Sequence, residues 1–206
     1  MDPDLSLLDR WCAGEAQAGN ELFQRHFTSV YEFFVNKVGD EADELVQETF
    51  LACTKSRDKF QRRSTFRTYV FAIARFKLYE YFRKRSKDRD CLDFSHSSLE
   101  DLRTTPRTRI SKNEEREQLL RALASLPPEQ QLILELHYWQ ELSGDQLADV
   151  FDIAPATTRS RLFRARKALR EKLKTPDQRN DADFHDWIQT LQEDSCRQRR
   201  SPEPSG

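Results

Sequence analysis

The chain has 206 residues, with 34 Lys and Arg against 35 Asp and Glu, and its apolar content of 37% permits only modest hydrophobic cores. Six Val and five Ile among many Leu, Gln, Glu and Arg disfavour large sheets and favour amphipathic helices. No apolar run is long enough for a membrane span, and the N-terminus lacks a signal-peptide pattern. The four cysteines are too widely spaced for a disulfide framework or a zinc site. We therefore expect a soluble, cytoplasmic, all-α protein without membrane insertion.

The first half of the chain has the apolar spacing of four helices. A short N-terminal helix carries Leu5, Leu8, Trp11 and Cys12. The next helix, 21–38, has a stripe of Leu22, Phe23, Phe27, Val30, Phe34 and Val38 and ends at Gly39. A third helix, 41–55, has the inward-facing residues Ala42, Leu45, Val46, Thr49, Phe50 and Cys53. After a polar loop, a long helix over 65–85 has the stripe Phe66, Tyr69, Val70, Ile73 and Tyr81.

A polar stretch over residues 89–113 separates this half from the next and contains Pro106 with many Ser and Thr. So long a connection predicts a flexible linker between two helical domains, at 1–88 and 114–174. The tail, 175–206, begins with a short amphipathic segment around Phe184 and Trp187 and is then expected to be disordered. A brake on activity, acting within the chain or through a partner, is one hypothesis for that segment.

The second domain has the pattern of a helix-turn-helix. Ser143 and Gln146 form a predicted capping box for a short helix that reaches Phe151, Asp152 occupies the turn, and Pro155 begins the next helix. That helix has the core stripe Leu162, Ala165, Leu169 and Leu173, and its remaining face is rich in Thr, Ser and Arg. Residues near the N-terminus of such a helix meet base edges in the major groove, and later arginines contact phosphates.

Charge is strongly segregated along the chain. Residues 40–48 contain five acids and no base, residues 57–90 contain twelve bases and four acids, and residues 155–174 contain eight bases and one acid. One acidic face beside two basic stretches indicates a protein partner and a polyanion contacted at two places. Solvated helix faces that balance one another are the alternative on charge alone.

The basic stretch over residues 60–85 is also rich in aromatic side chains, a combination typical of proteins that bind single-stranded nucleic acid. Phe66, Tyr69 and Tyr81 fit the core best, whereas the positions of Phe76, Tyr79 and Phe82 stay open.

Three blocks of this sequence resemble a known family. DELVQETFL at 43–51, STFRTYVFAIAR at 64–75 and the segment from LPPEQQ to RKAL at 126–169 are similar, in order, to bacterial RNA polymerase sigma factors of the extracytoplasmic-function (ECF) group. The resemblance covers about residues 20–88 and 114–174. It implies a sigma region 2-like bundle that binds core polymerase and melts and reads the −10 element. It also implies a sigma region 4-like helix-turn-helix that reads the −35 element.

The resemblance assigns roles to individual residues. Core polymerase, through its β′ subunit, is expected to bind Asp43, Glu44, Gln47 and Glu48. The melted −10 DNA is expected to contact Arg62, Arg63, Ser64, Thr65, Arg75, Lys77 and Arg83. The −35 duplex is expected to contact Thr157, Thr158, Arg159, Ser160, Arg161, Arg164 and Arg166. Further partners implied are the polymerase β subunit and an anti-sigma factor.

Enzymatic function is not expected. The chain has five glycines and no phosphate-cradling loop, and its four histidines lack metal-ligand spacing, so no cofactor and no metal site are predicted. His137 is expected to be a core or interface residue. Two rival functions stay open: a stand-alone, dimeric helix-turn-helix regulator, and an adaptor that binds proteins rather than DNA.

Overall fold

All regular elements in the described part of the chain are helices. The computed structural model describes residues 3–57, 60, 64–85 and 114–173. The first half contains α1 (Pro3–Cys12), α2 (Ala16–Val38), a 3₁₀ turn (Gly39–Glu41), α3 (Ala42–Ser56) and α4 (Phe66–Arg85). The second half contains α5 (Glu114–Ala124), α6 (Pro128–Tyr138), α7 (Gly144–Phe151) and α8 (Pro155–Leu173). The expected all-α class is confirmed, while the predicted linker and tail lie outside the described residues.

The first half is a bundle in which α1 and α3 pack against α2, and α4 packs against α3. Gly39 ends α2 with a φ of 71°, a conformation that favours glycine. All six residues predicted to face inward from α3 are buried. Burial raises the pKa of the Cys53 thiol to about 12, so this cysteine stays protonated and inert at neutral pH.

On α2, Leu22, Val30 and Phe34 of the predicted stripe are buried, but the buried face as a whole is rotated away from the prediction. Phe27 is 47% exposed and stacks on Tyr31, whereas Phe33 and Lys37 are buried. The buried face is therefore centred about a quarter turn away from Phe27. The buried face includes Lys37, and a pattern of apolar residues alone does not predict a buried lysine.

Two smaller corrections concern α1 and α4. Cys12, expected on the inner face of α1, is exposed, and Leu7 is buried beside Leu8 and Trp11. On α4, Tyr69, Ile73 and Tyr81 are only half-buried. The buried residues of that helix are Phe66, Thr68, Val70, Phe71, Ala74, Leu78 and Phe82.

The second half is the predicted helix-turn-helix with two supporting helices. The Ser143 hydroxyl accepts a hydrogen bond from the Gln146 amide, and the Gln146 side chain accepts one from the Ser143 amide, which completes the capping box. Asp152 has the left-handed conformation, with φ 53°, and Pro155 begins α8. On α8, Leu162, Ala165 and Leu169 are buried as expected. α5, α6 and α7 all pack against α8 and hold it in place.

The two halves pack against each other through α4 and α7. Their buried apolar residues form one continuous cluster. The buried Lys37 of α2 forms an ion pair with the half-buried Glu135 of α6. The Arg67 guanidinium of α4 donates to the Gln140 side-chain oxygen at 2.9 Å. The two halves are therefore in direct contact, an arrangement called closed below.

Candidate nucleic-acid and protein interfaces

The acidic face of α3 lies on the surface. Asp43, Glu44 and Gln47 are exposed, because the opposite side of the helix is buried in the bundle. Glu48 is half-buried, and its carboxylate lies 3.4 Å from the Lys77 ammonium of α4. The sequence reading missed Leu51, which is exposed one turn after Gln47. Leu51 lies seven residues after Glu44 and so falls on the same face of α3, and this spacing could have identified it from the sequence.

The start of α4 is held by Thr65. Its hydroxyl accepts a hydrogen bond from the Thr68 amide at 3.2 Å, which satisfies one amide of the first helical turn. Ser64 precedes it and is half-buried. Arg62 and Arg63, assigned to the same loop, lie outside the described residues.

The basic residues of α4 have different surroundings. Arg83 is exposed at the end of the helix. Lys77 donates to Glu80 at 2.8 Å, and this hydrogen bond, with the contact to Glu48, raises the lysine pKa. Lys77 therefore stays positively charged, and the nearby carboxylates of Glu80 and Glu48 partly compensate this charge.

Arg75 lies between the two halves of the molecule. Its guanidinium carbon is 5.4 Å from the ring centre of Tyr79 and 5.0 Å from that of Phe151 on α7. Burial raises the pKa of the Tyr79 phenol to about 12, in keeping with the tight contact between these helices. In this arrangement, α7 covers Arg75.

The aromatic residues of α4 separate into core and surface. Phe66 and Phe82 are buried, and Tyr79 is half-buried. Tyr69 is half-buried, with its hydroxyl 2.6 Å from that of Ser56 and its ring packed on Phe60. Phe76 is 57% exposed. Of the three aromatic positions that the sequence left open, Phe76 alone presents most of its surface to solvent.

The recognition helix α8 presents part of the expected DNA-binding set. Arg159, Ser160 and Arg164 are exposed, and Thr157 is half-buried near the start of the helix. The prediction that Thr158 contacts the −35 duplex is wrong. Thr158 is 0% exposed and its hydroxyl donates to the Ala154 carbonyl at 3.3 Å, so it packs under the helix instead of facing DNA.

Arg161 and Arg166 face neighbouring helices within the second half. Arg161 donates to Glu129 of α6 at 2.8 Å. Arg166 donates to the Tyr138 hydroxyl at 2.9 Å and lies 3.1 Å from the His137 Nε2 atom. His137 is thus an interface residue, in agreement with the sequence reading.

Two features are absent from the described residues. None of the helices is long and apolar enough to cross a membrane. Among residues 3–57, 60, 64–85 and 114–173, no group of three or more His, Cys, Asp or Glu side chains is placed to hold a metal ion.

A basic helix and a helix-turn-helix in an all-α chain are typical of a DNA-binding protein. Comparison with known families identifies the class. The family model for sigma-70 region 2 matches residues 22–88, and that for sigma-70 region 4 matches residues 116–169. Together these matches cover more than half of the chain.

Curated relatives agree with this result. The chain is 29% identical to the ECF RNA polymerase sigma-E factor of Escherichia coli K12, over 82% of this chain and 94% of that protein. It is 28% identical to the ECF RNA polymerase sigma factor SigM of Bacillus subtilis, over 73% of this chain and 92% of that one. The chain belongs to the sigma-70 family of RNA polymerase sigma factors and is of the ECF type. It directs RNA polymerase to promoters, and sigma factors are non-catalytic regulators of transcription initiation.

Solved structures share the fold. CnrH, solved in complex with the cytosolic domain of CnrY, gives a TM-score of 0.63 at 21% identity and covers 85% of this chain and 100% of that one. The sigma factor RpoE of Bartonella quintana, solved in complex with the anti-sigma factor NepR, gives 0.55 at 25% identity and covers 75% and 97%.

Proposed function

We propose that the three surfaces divide the work of promoter recognition. The acidic face of α3, formed by Asp43, Glu44, Gln47 and Glu48, binds a basic surface of core polymerase, chiefly its β′ subunit. The first half, assigned to 1–88, captures melted −10 DNA, and the second half, assigned to 114–174, reads the −35 duplex. The β subunit is the further polymerase partner. No residue of this chain makes or breaks a bond in this scheme.

The observation that carries the proposal is the exposed acidic face on a helix anchored by six buried side chains. Asp43, Glu44 and Gln47 point away from the bundle, so a partner can bind them without any change in the core. Carboxylates on a rigid helix attract a basic partner and fix its orientation.

The DNA-binding assignments rest on the basic helices. The −10 set comprises Arg62, Arg63, Ser64, Thr65, Arg75, Lys77 and Arg83. The −35 set keeps Thr157, Arg159, Ser160 and Arg164 as direct contacts, with Arg161 able to join them after it exchanges Glu129 for a base or a phosphate. Arginine is suited to both tasks, because its guanidinium pairs with guanine edges and with phosphate oxygens.

Regulation by an anti-sigma factor forms part of the proposal. CnrH and RpoE were each solved with a partner protein, which for RpoE is the anti-sigma factor NepR. A chain of the same fold offers the same surfaces for such a partner. Because the proposed polymerase is the bacterial enzyme, the protein acts in the cytoplasm.

The test is binding to bacterial core RNA polymerase. Asp43→Ala with Gln47→Ala should weaken binding of the full chain to core polymerase by at least about tenfold, since hot-spot truncations cost about 1 kcal/mol or more each. The matched control, Glu171→Ala with Gln118→Ala, removes one exposed acid and one exposed glutamine outside α3 and should leave the affinity unchanged.

Run-off transcription on a promoter library completes the test. Start sites that share −35 and −10 elements are expected from the reconstituted enzyme. Normal folding without core binding would instead favour the stand-alone regulator, and that protein should then bind palindromic duplex DNA as a dimer. Loss of affinity in the control variant alone would move the polymerase interface away from α3.

A further inference from the structure

We propose that the exposed Phe163 on the recognition helix α8 is a docking site for an acidic segment of the chain's own tail, residues 181–194. Phe163 is 60% exposed, the highest value among the large apolar side chains of the described residues. The segment lies outside the described residues, and its sequence supplies the groups that would bind. This inference rests on the proposed reading of −35 DNA by α8 and adds a means of restraining it within the chain.

The Phe163 ring lies among basic groups on the outer face of α8. Arg159 precedes it by four residues and Lys167 follows it by four, and both are exposed. Side chains four residues apart are neighbours on one face of a helix, and the aliphatic stems of arginine and lysine extend the apolar surface around the ring. Along the whole helix, four bases are exposed against one acid: Arg159, Arg164, Lys167 and Lys172 against Glu171. This surface favours an occupant that is both apolar and acidic.

The tail contains a segment with both properties. Residues 177–194 include six acids and one base. Phe184, Trp187, Ile188 and Leu191 have the i, i+3, i+4, i+7 spacing of one helix face. An amphipathic helix of this kind binds an apolar site through its apolar face, and its acids complement the bases around that site.

Chain connectivity places this segment within reach of Phe163. Phe163 lies ten residues before Leu173, where α8 ends, and this separation is about 15 Å along the helix axis. The ten residues between Leu173 and Phe184 span up to about 35 Å when extended. A short flexible tether gives an effective concentration on the order of 1 mM, so a contact with a Kd of about 0.1 mM would be about 90% formed within the chain.

Docking at Phe163 competes with DNA for the same face of α8. Arg159 and Arg164, two of the proposed −35 contacts, flank the ring on this face. The acids of the docked segment would neutralise these arginines, and its bulk would keep the helix out of the major groove. If the docked form accounts for about 90% of the molecules, the affinity for duplex DNA falls about tenfold.

Photo-cross-linking detects the contact in the absence of DNA. Phe163 is replaced in the full chain by the photo-reactive analogue p-benzoylphenylalanine, and the products of irradiation are mapped by mass spectrometry. Cross-links should join position 163 to residues 181–194 of the same chain. Trp187→Gln with Ile188→Gln should abolish them. The matched control, Gln189→Ala with Thr190→Ala, changes the opposite side of the predicted helix and should keep them.

Binding of the full chain to a short labelled DNA duplex of random sequence measures the consequence, because basic residues contact phosphates in any sequence. Trp187→Gln with Ile188→Gln should bind the duplex about tenfold more tightly than the wild type. The control pair should bind like the wild type. In a Phe163→Ser chain the same tail substitutions should have no further effect, because their docking site is already lost.

Two results would overturn the docking site. One is the absence of cross-links from position 163 to the tail of the same chain. The other is an undiminished effect of the tail substitutions in the Phe163→Ser chain, which would place the segment elsewhere, for instance on Phe76 of the basic helix α4. Equal duplex affinities of the tail variant and the wild type would overturn the restraint on DNA binding. If neither chain binds the duplex, the proposed −35 function fails, while the cross-link still decides the docking.

Discussion

Glu141 has a backbone conformation that its side chain does not favour. It lies in the turn between α6 and α7 with φ 52°, and it is exposed. In the folded protein, the left-handed conformation costs a residue other than glycine about 1–2 kcal/mol. Replacing that residue with glycine removes this strain, but it lowers the stability by about 0.4–1 kcal/mol because glycine has more conformational freedom in the unfolded chain. Glu141→Gly should therefore stabilise the protein by about 0.5–1 kcal/mol, measured as the free energy of unfolding in urea.

Asp152 supplies the comparison for this prediction. It has nearly the same conformation, φ 53°, at the turn between α7 and α8. Aspartate tolerates this region better than most residues, because its short polar side chain can hydrogen-bond locally. Asp152→Gly should change the stability by less than Glu141→Gly does. Equal gains at the two turns would show that side-chain type does not govern the strain.

The burial of single residues was predictable where apolar side chains alone formed the buried face. On α3 the inward set was correct because the remaining residues of that helix are mostly polar. On α2, Leu22, Val30 and Phe34 are buried as predicted, but Phe27 is exposed and Lys37 is buried. The Lys37 ammonium lies 4.2 Å from the Phe33 ring centre, donates to the Phe33 carbonyl and pairs with Glu135. That last partner is distant in sequence, so no local pattern could reveal it.

At the scale of the element, the orientation of α8 depends on a clamp at Arg166. The Leu142 carbonyl can only accept, so the His137 Nδ1 atom, 3.0 Å away, carries the proton. The His137 Nε2 atom is then an acceptor for the Arg166 guanidinium, which also donates to the Tyr138 hydroxyl. Arg166 thus joins the recognition helix to the end of α6. This role differs from the phosphate contact expected from the sequence.

Arg166→Met should lower the stability of the full chain by about 1.5–3 kcal/mol, the range for hydrogen bonds to a charged group. Arg164→Met is the matched control, since the Arg164 guanidinium is exposed and bonds only to the Ser160 carbonyl of its own helix. The control should keep the stability and weaken duplex DNA binding, with a salt dependence reduced by about one charge. Urea unfolding and duplex titrations in increasing salt measure the two effects. If Arg166→Met instead kept the stability and weakened duplex DNA binding, Arg166 would be a phosphate contact.

The helix-turn-helix itself was predictable in detail, because its caps and turns are local. The capping box at Ser143, the turn at Asp152 and the start of α8 at Pro155 are all confirmed. Which α8 side chains face outward was less certain. Thr158, Arg161 and Arg166 are held by packing or by partners on α6, and these contacts depend on the tertiary structure.

At the scale of the whole molecule, the two halves pack together and cover Arg75, a residue assigned to −10 DNA. Burial lowers the pKa of Arg67, which donates to Gln140 across the contact, and Arg75 is covered by Phe151. Among the described residues, one ion pair with a buried member crosses this contact: Lys37 is fully buried and its partner Glu135 is mostly buried. Removing one partner of a buried pair costs about 3–5 kcal/mol, because the other charge is left uncompensated.

Glu135→Lys should therefore open the molecule. It places two cations together in the contact between α2 and α6, and about 3 kcal/mol shifts a two-state equilibrium by roughly 150-fold. The radius of gyration of the full chain, from small-angle X-ray scattering, should increase. Binding of single-stranded DNA should strengthen as well, because Arg75 is released from Phe151.

Two further variants show whether charge at this contact governs the closed state. Lys37→Met with Glu135→Gln removes both charges, keeps an acceptor for the Gln131 side chain and should leave the chain closed. Glu41→Lys makes the same change at the exposed pair with Arg85 within the first half, and it should alter neither size nor DNA affinity. If Glu135→Lys lowers stability while the radius stays constant, the pair supports folding alone, and Arg75 must be uncovered by another contact, such as the binding of polymerase.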